Sequence, residues 1–437
     1  YFDAYDTPAK DRELLDKAKG QKLYKLEIGK DSIPELVYTN PDTTGTNPFR
    51  FTIKDDKLFL FHHLESRNTT YRVISCADLN TSTFFPRNFI IYPNEEDLNL
   101  SIAHTSNDSI WLKTNWNAPN GKILLANLNT PNKLTEFVPE YDIFLKNVDQ
   151  LGENKLALTY LDDGQNTALI YDFKGTLLKK IDFPKGKKLN YFYESESVSH
   201  TDFYITSFFH PDLLYQISLD NLELKPVESV SVPYNVSELE TRYVSYPSAD
   251  GTEISMYITC KKDVELNGEN PVILYGYGGY GTVVEPFFSQ SNALFIAHGG
   301  ILAVPNIRGG GAKGSLWASE GRRLKKQNAI DDFIGAAQYL IDKNYTQPKK
   351  MLISGASHGG LLVTAAMTQR PKLFKAVIAE AGPYDMLRFN KFTVGGINSN
   401  LLEFGNPETK EDYENLRSYS PLHNIKKDMK YPNVLLV

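Results

Sequence analysis

Cysteine is almost absent from this chain: there are two, Cys76 and Cys260, among 437 residues. They lie far apart in sequence, which excludes a disulfide-stapled scaffold and a CxxC metal knuckle, and two buried free thiols are expected. No apolar run approaches the ~18 residues that a membrane-crossing helix needs. Positive charge is not in excess either. The formal net charge is −6, which argues against nucleic acid or an anionic membrane surface as the main partner. Aromatic residues, by contrast, are plentiful at 12%, a share that leans toward β structure. At this length two domains are the default expectation.

The chain opens on Tyr1 rather than Met, as it would if a targeting segment had been removed or not supplied. It closes at Val437 within "YPNVLLV", a short β-branched run that reads as a buried strand. A chain cut inside an inner strand is expected to be a fragment.

Two grammars divide the sequence. Up to about Val230, short aromatic and β-branched runs alternate with Asn, Asp and Gly clusters. The segments "DDKLFLFHH" at Asp55, "NDSIWLKTN" at Asn107, "ENKLALTYL" at Glu153 and "HTDFYITSF" at His200 recur with a similar pattern. Each pairs with a later strand such as "YRVISCADL" or "ALIYDF". The spacing is that of four-stranded propeller blades, and about four are legible, with a partial one at the start; a large β-sandwich is the alternative. The stretch "DNLELKPVESVSVPYNVSELETR" reads as a linker. Beyond it comes a hairpin turning at Asp250-Gly251. Buried strands then alternate with helical patterns, which predicts a mostly parallel sheet with helices on both faces. The division expected is a partial propeller over residues 1–235 and an α/β domain over 236–437.

The motif that carries chemistry is Gly355-Ala356-Ser357-His358-Gly359. It lies between a strand, "KMLIS", and a helix, "GGLLVTAAM". A G-x-S-x-G in that setting is a nucleophile elbow: the turn strains the serine backbone, and glycines on either side avoid a clash. The bland alternative is a Gly/Ser helix start. An oxyanion hole would draw on the N–H of His358 and on the loop "LYGYGGYG", where glycines allow close backbone approach. "NIRGGGAKG" lacks the spacing of a phosphate loop. The cluster Arg322, Arg323, Lys325 and Lys326 reads as a solvated helix face, and Arg308 as a local hydrogen-bonding residue near the serine.

"YPSADGTEISMYI", "ILYGYGGY", "GGILAVPNIRGGG", "KKQNAIDDFIGAAQYLI", "SGASHGGLLV", "RPKLFKAVIAEAGPYDMLRF" and "YSPLHNI" occur in series. In this order they resemble the prolyl oligopeptidase family of serine peptidases. The resemblance implies an α/β-hydrolase joined to a β-propeller, acting on short peptides on the carboxyl side of proline. It makes Ser357 the nucleophile, with the Tyr277 hydroxyl and the His358 backbone N–H as oxyanion donors. Tyr280, Pro383 and Phe404 would form the proline pocket. Three departures stand out. His358 replaces the family's usual Asn. Asn398 stands where a stacking tryptophan is usual, which opens the alternative of a peptidase or esterase with non-prolyl preference. Ala312 and Lys313 follow the triglycine in place of an acidic residue.

The resemblance places the triad Asp and His beyond Val437, so the chain alone is expected to be inactive. His423, His358 and Asp385 are poor substitutes for them; His62, His63, His104, His200, His210 and His298 are expected to be structural or at the surface. A non-catalytic propeller scaffold with a decayed hydrolase domain is the remaining alternative. No metal or organic cofactor is implied. A cytoplasmic location is expected, with a periplasmic or secreted one left open.

Overall fold

The computed structural model describes residues 1–437 apart from 12–17, 30–32, 46, 67–68, 80–86, 96–97, 163, 194–198, 229 and 392–396, and omits also the side chains of 64–66, 69, 87, 228 and 397–398. The described residues form two compact units. One comprises Tyr1–Trp116, Lys122–Pro139 and Lys391–Asn398; the other comprises Asn117–Gly121, Glu140–Asn390 and Ser399–Val437.

The first unit holds a three-stranded sheet (Phe2–Ala4, Lys22–Lys25, Glu35–Thr39) and two four-stranded antiparallel meanders, one from Arg50 to Pro93 and one built from Leu100–Ser106, Ser109–Thr114, Lys122–Asn127 and Leu134–Val138. Each recurrent segment supplies the second strand of a meander, here Lys57–Ser66 and Ser109–Thr114. Asp55, Asp56 and Asn107 turn into these strands with positive φ, a conformation that Asp and Asn tolerate in tight hairpins. Phe59, Ile74 and Phe89 of one meander share a core with Leu100, Ile110 and Leu112 of the next. Sheets packed on one another in sequence order are what propeller blades require, since a lone blade cannot bury both faces.

In the second unit two further meanders, Phe144–Asp182 and Lys187–Glu228, share a core through Ala157, Ile170, Leu189 and Phe203. The last strand of this pair, Leu224–Glu228, pairs with Leu213–Ser218. It falls inside the stretch read as a linker: Lys225 faces out, while Leu222 just before the strand turns into the core.

The same unit contains a seven-stranded sheet in the order Leu239–Pro247, Glu253–Lys261, Ile301–Pro305, Val272–Tyr275, Met351–Ala356, Ala376–Glu380, Asn433–Leu436. The first two pairings are antiparallel and the rest parallel. The expected hairpin is present, with Ser248 N–H donating to Thr252 O at 2.8 Å. Side chains alternate between faces with period two. Ile301 and Ala303 join Phe333, Ala337, Leu361 and Leu362 of the helices Lys326–Asp342 and His358–Gln369. Leu302 and Val304 join Ile296 of the helix Gln290–Ala297 on the opposite face. Helices therefore cover both faces, the α/β-hydrolase arrangement.

Two expectations fail. In this chain the strand Asn433–Leu436 has a neighbour on one side only, Ala376–Glu380, and Val434, Leu435 and Leu436 are exposed rather than buried. Cys260 is buried, but Cys76 is only half-buried.

One buried ionic cluster fixes the corner of the sheet. Arg308, 4% exposed, binds Asp332 at 2.6 Å and Asp250 at 2.5 Å. Ser248 Oγ and the Arg308 N–H also donate to Asp332, at 2.5 and 2.9 Å. The hairpin, the end of a central strand and a long helix are thus tied to one carboxylate. Asp332→Ala leaves the buried Arg308 guanidinium with only the half-exposed Asp250 for a carboxylate partner and is expected to cost about 3 kcal/mol in urea unfolding. Asp250→Ala, whose side chain is about half exposed, should cost much less.

Candidate active site

Ser357 occupies the junction of the Met351–Ala356 strand and the His358–Gln369 helix with φ 56° and ψ −118°. This conformation is strained for a residue with a Cβ, at roughly 1–3 kcal/mol, and the surroundings enforce it. A Cβ on Gly355 would meet Gly359 O at 2.4 Å, and one on Gly359 would meet Gly276 O at the same distance. The Ser357 N–H is held by Glu380 O of the next strand at 2.7 Å. The side chain is exposed, at the N-terminus of a twelve-residue helix, where the unpaired N–H groups favour developing negative charge.

The glycine-tyrosine loop lies directly against this turn. Gly276 N–H donates to Ser354 O at 3.1 Å, and Gly281 N–H to Gly309 O at 2.9 Å, so the triglycine turn buttresses the loop from behind. Tyr277 is half-buried. Its carbonyl accepts a hydrogen bond from His358 Nδ1 at 2.7 Å.

His358 itself is 1% exposed. Its ring stacks on Phe404 with centroids 5.6 Å apart and 4° between planes, and it meets the Tyr280 ring edge-on at 5.8 Å. A Cβ on Gly279 would fall 2.4 Å from the imidazole, so only glycine fits there. Ser357, His358, Tyr277, Tyr280 and Phe404 are therefore brought into one neighbourhood. Phe404, 2% exposed, lies beneath the turn with Phe389 against it. Pro383 is half-exposed. It follows Gly382, whose backbone lies against Gly360 of the serine-bearing helix. Asn398 is the second residue of the Ile397–Phe404 helix, but its side chain lies outside the described residues.

Sequence reasoning missed the charges behind the turn. Lys326 Nζ lies 3.0 Å from His358 Nε2 and forms an ion pair with Glu403; both partners are 1% exposed. Glu403 also accepts from the Tyr280 N–H at 2.9 Å and pairs with Arg322 at 3.3 Å. The basic cluster is thus split: Arg323 and Lys325 are exposed, whereas Arg322 and Lys326 turn inward to this carboxylate. A signal was present in the sequence. Lys326 stands in register with Ala329, Ile330, Phe333, Ala337 and Leu340, the apolar stripe of its own helix. Burial, and then the Lys326 charge, depress the pKa of His358. Burial works the other way on Glu403, yet the Lys326 charge beside it helps hold the carboxyl below its ordinary value.

Other candidates stand elsewhere. His423 is exposed, with Nδ1 2.8 Å from Ser420 Oγ. Asp385 pairs with Arg388 at 2.5 Å. Among the described residues no three His, Cys, Asp or Glu side chains are grouped as a metal site requires.

Comparison with known proteins gives a consistent result. Prolyl endopeptidase of Elizabethkingia meningoseptica is 31% identical over 443 residues, covering 100% of this chain and 61% of that protein. Prolyl oligopeptidase A of Galerina marginata is 33% identical, covering 100% and 57%. The chain thus spans about three fifths of the length of these relatives. Among solved structures, a prolyl endopeptidase superposes with a TM-score of 0.87 at 30% identity, over 98% of this chain and 62% of that one. Prolyl oligopeptidase B from Galerina marginata, bound to a 35mer hydrolysis and macrocyclization substrate, gives 0.88 at 27% identity, over 100% and 61%. The family model for the N-terminal β-propeller domain of prolyl oligopeptidase matches residues 1–230, and that of the prolyl oligopeptidase family matches 286–437. With both models matched in order along its length, the chain belongs to the prolyl oligopeptidase family.

Proposed function

We propose that this chain carries the nucleophile and oxyanion site of a serine-type oligopeptidase that cleaves short peptides on the carboxyl side of proline. Ser357 Oγ attacks the carbonyl carbon of the residue before the scissile bond. The carbonyl oxygen takes up negative charge and is received by the His358 backbone N–H and the Tyr277 hydroxyl. Collapse of the tetrahedral intermediate expels the amine and leaves an acyl-serine, which water then hydrolyses. Proton transfer requires a base and its orienting acid; in this reading His358, His423 and Asp385 supply neither.

The observation that carries the proposal is the enforced left-handed conformation of Ser357, an exposed serine at a helix N-terminus with a glycine loop packed against its turn. Strain of this kind persists only where the surroundings over-determine it, and it clusters at reacting groups. The names of the relatives support the peptide substrate and the preference for proline. In the same reading Tyr280, Pro383 and Phe404 shape the proline pocket, Phe404 from beneath. The propeller and hydrolase domains divide at 235/236. Two free thiols with no disulfide among the described residues support a cytoplasmic location.

Asn398 favours a second reading, in which the fold is retained but the residue preferred before the cleaved bond is not proline. A stacking indole contributes about 0.5–1.5 kcal/mol beyond its buried area, and asparagine cannot supply that.

Three experiments on the full-length protein test these readings. A fluorophosphonate probe is expected to label the wild type and not Ser357→Ala; no labelling, or labelling that survives the substitution, would refute the nucleophile. Tyr277→Phe is expected to lower kcat by about 10²–10³ with little change in KM, the loss typical of one oxyanion donor. In a panel of chromogenic peptides, preference for alanine or a basic residue over proline would decide for the second reading.

A further inference from the structure

The side chain at position 358 is built in as carefully as the backbone amide beside it. We propose that the His358 imidazole is a positioning residue: held as the neutral Nδ1–H form, it ties the Tyr277 backbone to the serine turn and so keeps the two oxyanion donors in register. This rests on the reading of Ser357 and Tyr277 given above.

Geometry decides the tautomer. Nε2 faces the Lys326 ammonium at 3.0 Å. An ammonium has donors only, so Nε2 must accept. The remaining proton is then on Nδ1, which donates to Tyr277 O at 2.7 Å. Every other side of the ring is occupied. Phe404 covers one face, the Gly279 backbone and the Tyr280 ring close upon it, and the Tyr277 ring lies 5.7 Å away.

The charged and titratable groups facing the imidazole are Lys326 from one helix, Glu403 from another, and Tyr277 and Tyr280 from the loop; Arg322 pairs with Glu403 behind them. Glu403 Oε1 lies 3.4 Å from Nε2 and could take a hydrogen bond only from a ring with a proton on Nε2, which would then also face the Lys326 ammonium. Lys326 holds that place instead, and the burial and charge already described disfavour protonation. Glu403 has a second duty: through the Tyr280 N–H it fixes the far end of the same loop. The loop is thus held at Tyr277 by the imidazole and at Tyr280 by the carboxylate. A residue that misplaces an oxyanion donor by about 1 Å is expected to cost up to ~10²-fold in rate.

The test has two independent arms on the full-length protein. In ¹⁵N-histidine NMR, with His358→Asn used to assign the resonance, His358 is expected as the Nδ1–H tautomer, without titration from pH 8 down to about 5.5. An Nε2–H signal, or titration near the ordinary value of ~6.5, would overturn the proposal. This arm reads the ring directly and does not depend on activity.

The second arm is kinetic. His358→Leu, which removes the donor, is expected to lower kcat by roughly 10–100-fold with KM within about twofold, and to weaken a peptide boronate that mimics the tetrahedral state in parallel with kcat/KM. His358→Asn, whose amide N–H can still reach Tyr277 O, is expected to retain most of kcat. Equal losses in the two variants, or a leucine variant with wild-type kcat, would sink the proposal. If the wild-type protein fails to react with a fluorophosphonate, the reading of Ser357 has failed instead, and the tautomer measurement still judges the clamp.

Discussion

Everything at this site follows from one close approach. The carbonyl of Gly276 occupies the space where a side chain at 355 or 359 would have to be. The loop after one central strand can therefore lie directly against the turn after its neighbour, and the serine between the two glycines is forced into a left-handed conformation. Parallel neighbours in an α/β sheet end on the same side, so their loops emerge together. Here that proximity sets a strained serine, a helix N-terminus and a tyrosine loop around one point.

Behind the turn, the protein buries charge in a place where apolar packing would be the simpler solution. An ion pair out of water is costly to form and more costly to break, since removing one partner leaves the other unpaired. Two such clusters meet at the helix Lys326–Asp342. Asp332 with Arg308 joins the hairpin to the long helix, and Glu403 with Lys326 and Arg322 joins the loop to that helix's first turn. Both therefore act through the helix Lys326–Asp342. Replacing either carboxylate disturbs the positions of several chain segments at once, because each bridges elements far apart in sequence.

The blade sheets show a different logic. Their cores are made between consecutive meanders, as in the sharing of Ile170 and Phe203 or of Ile74 and Leu112. A repeat of this kind announces itself in sequence because each blade must present the same two apolar faces. The regular recurrence of one strand, from "DDKLFLFHH" to "HTDFYITSF", is that requirement written out.

The sequence by itself determined what local physics controls. Periodicity and turn residues located the blades and the alternating strands and helices, and the glycines around Ser357 announced a strained turn, since only a residue without a Cβ escapes the clash. It did not determine the fates of like-charged neighbours: Arg322 and Arg323 look alike in "GRRLKKQN", yet one turns in and the other out. Nor did it reveal that the His358 imidazole is buried against Phe404 and bonded to the Tyr277 carbonyl. Those outcomes depend on Glu403 and Tyr277, partners distant in sequence. Burial and pairing are properties of the packed chain, so only the tertiary structure could decide them.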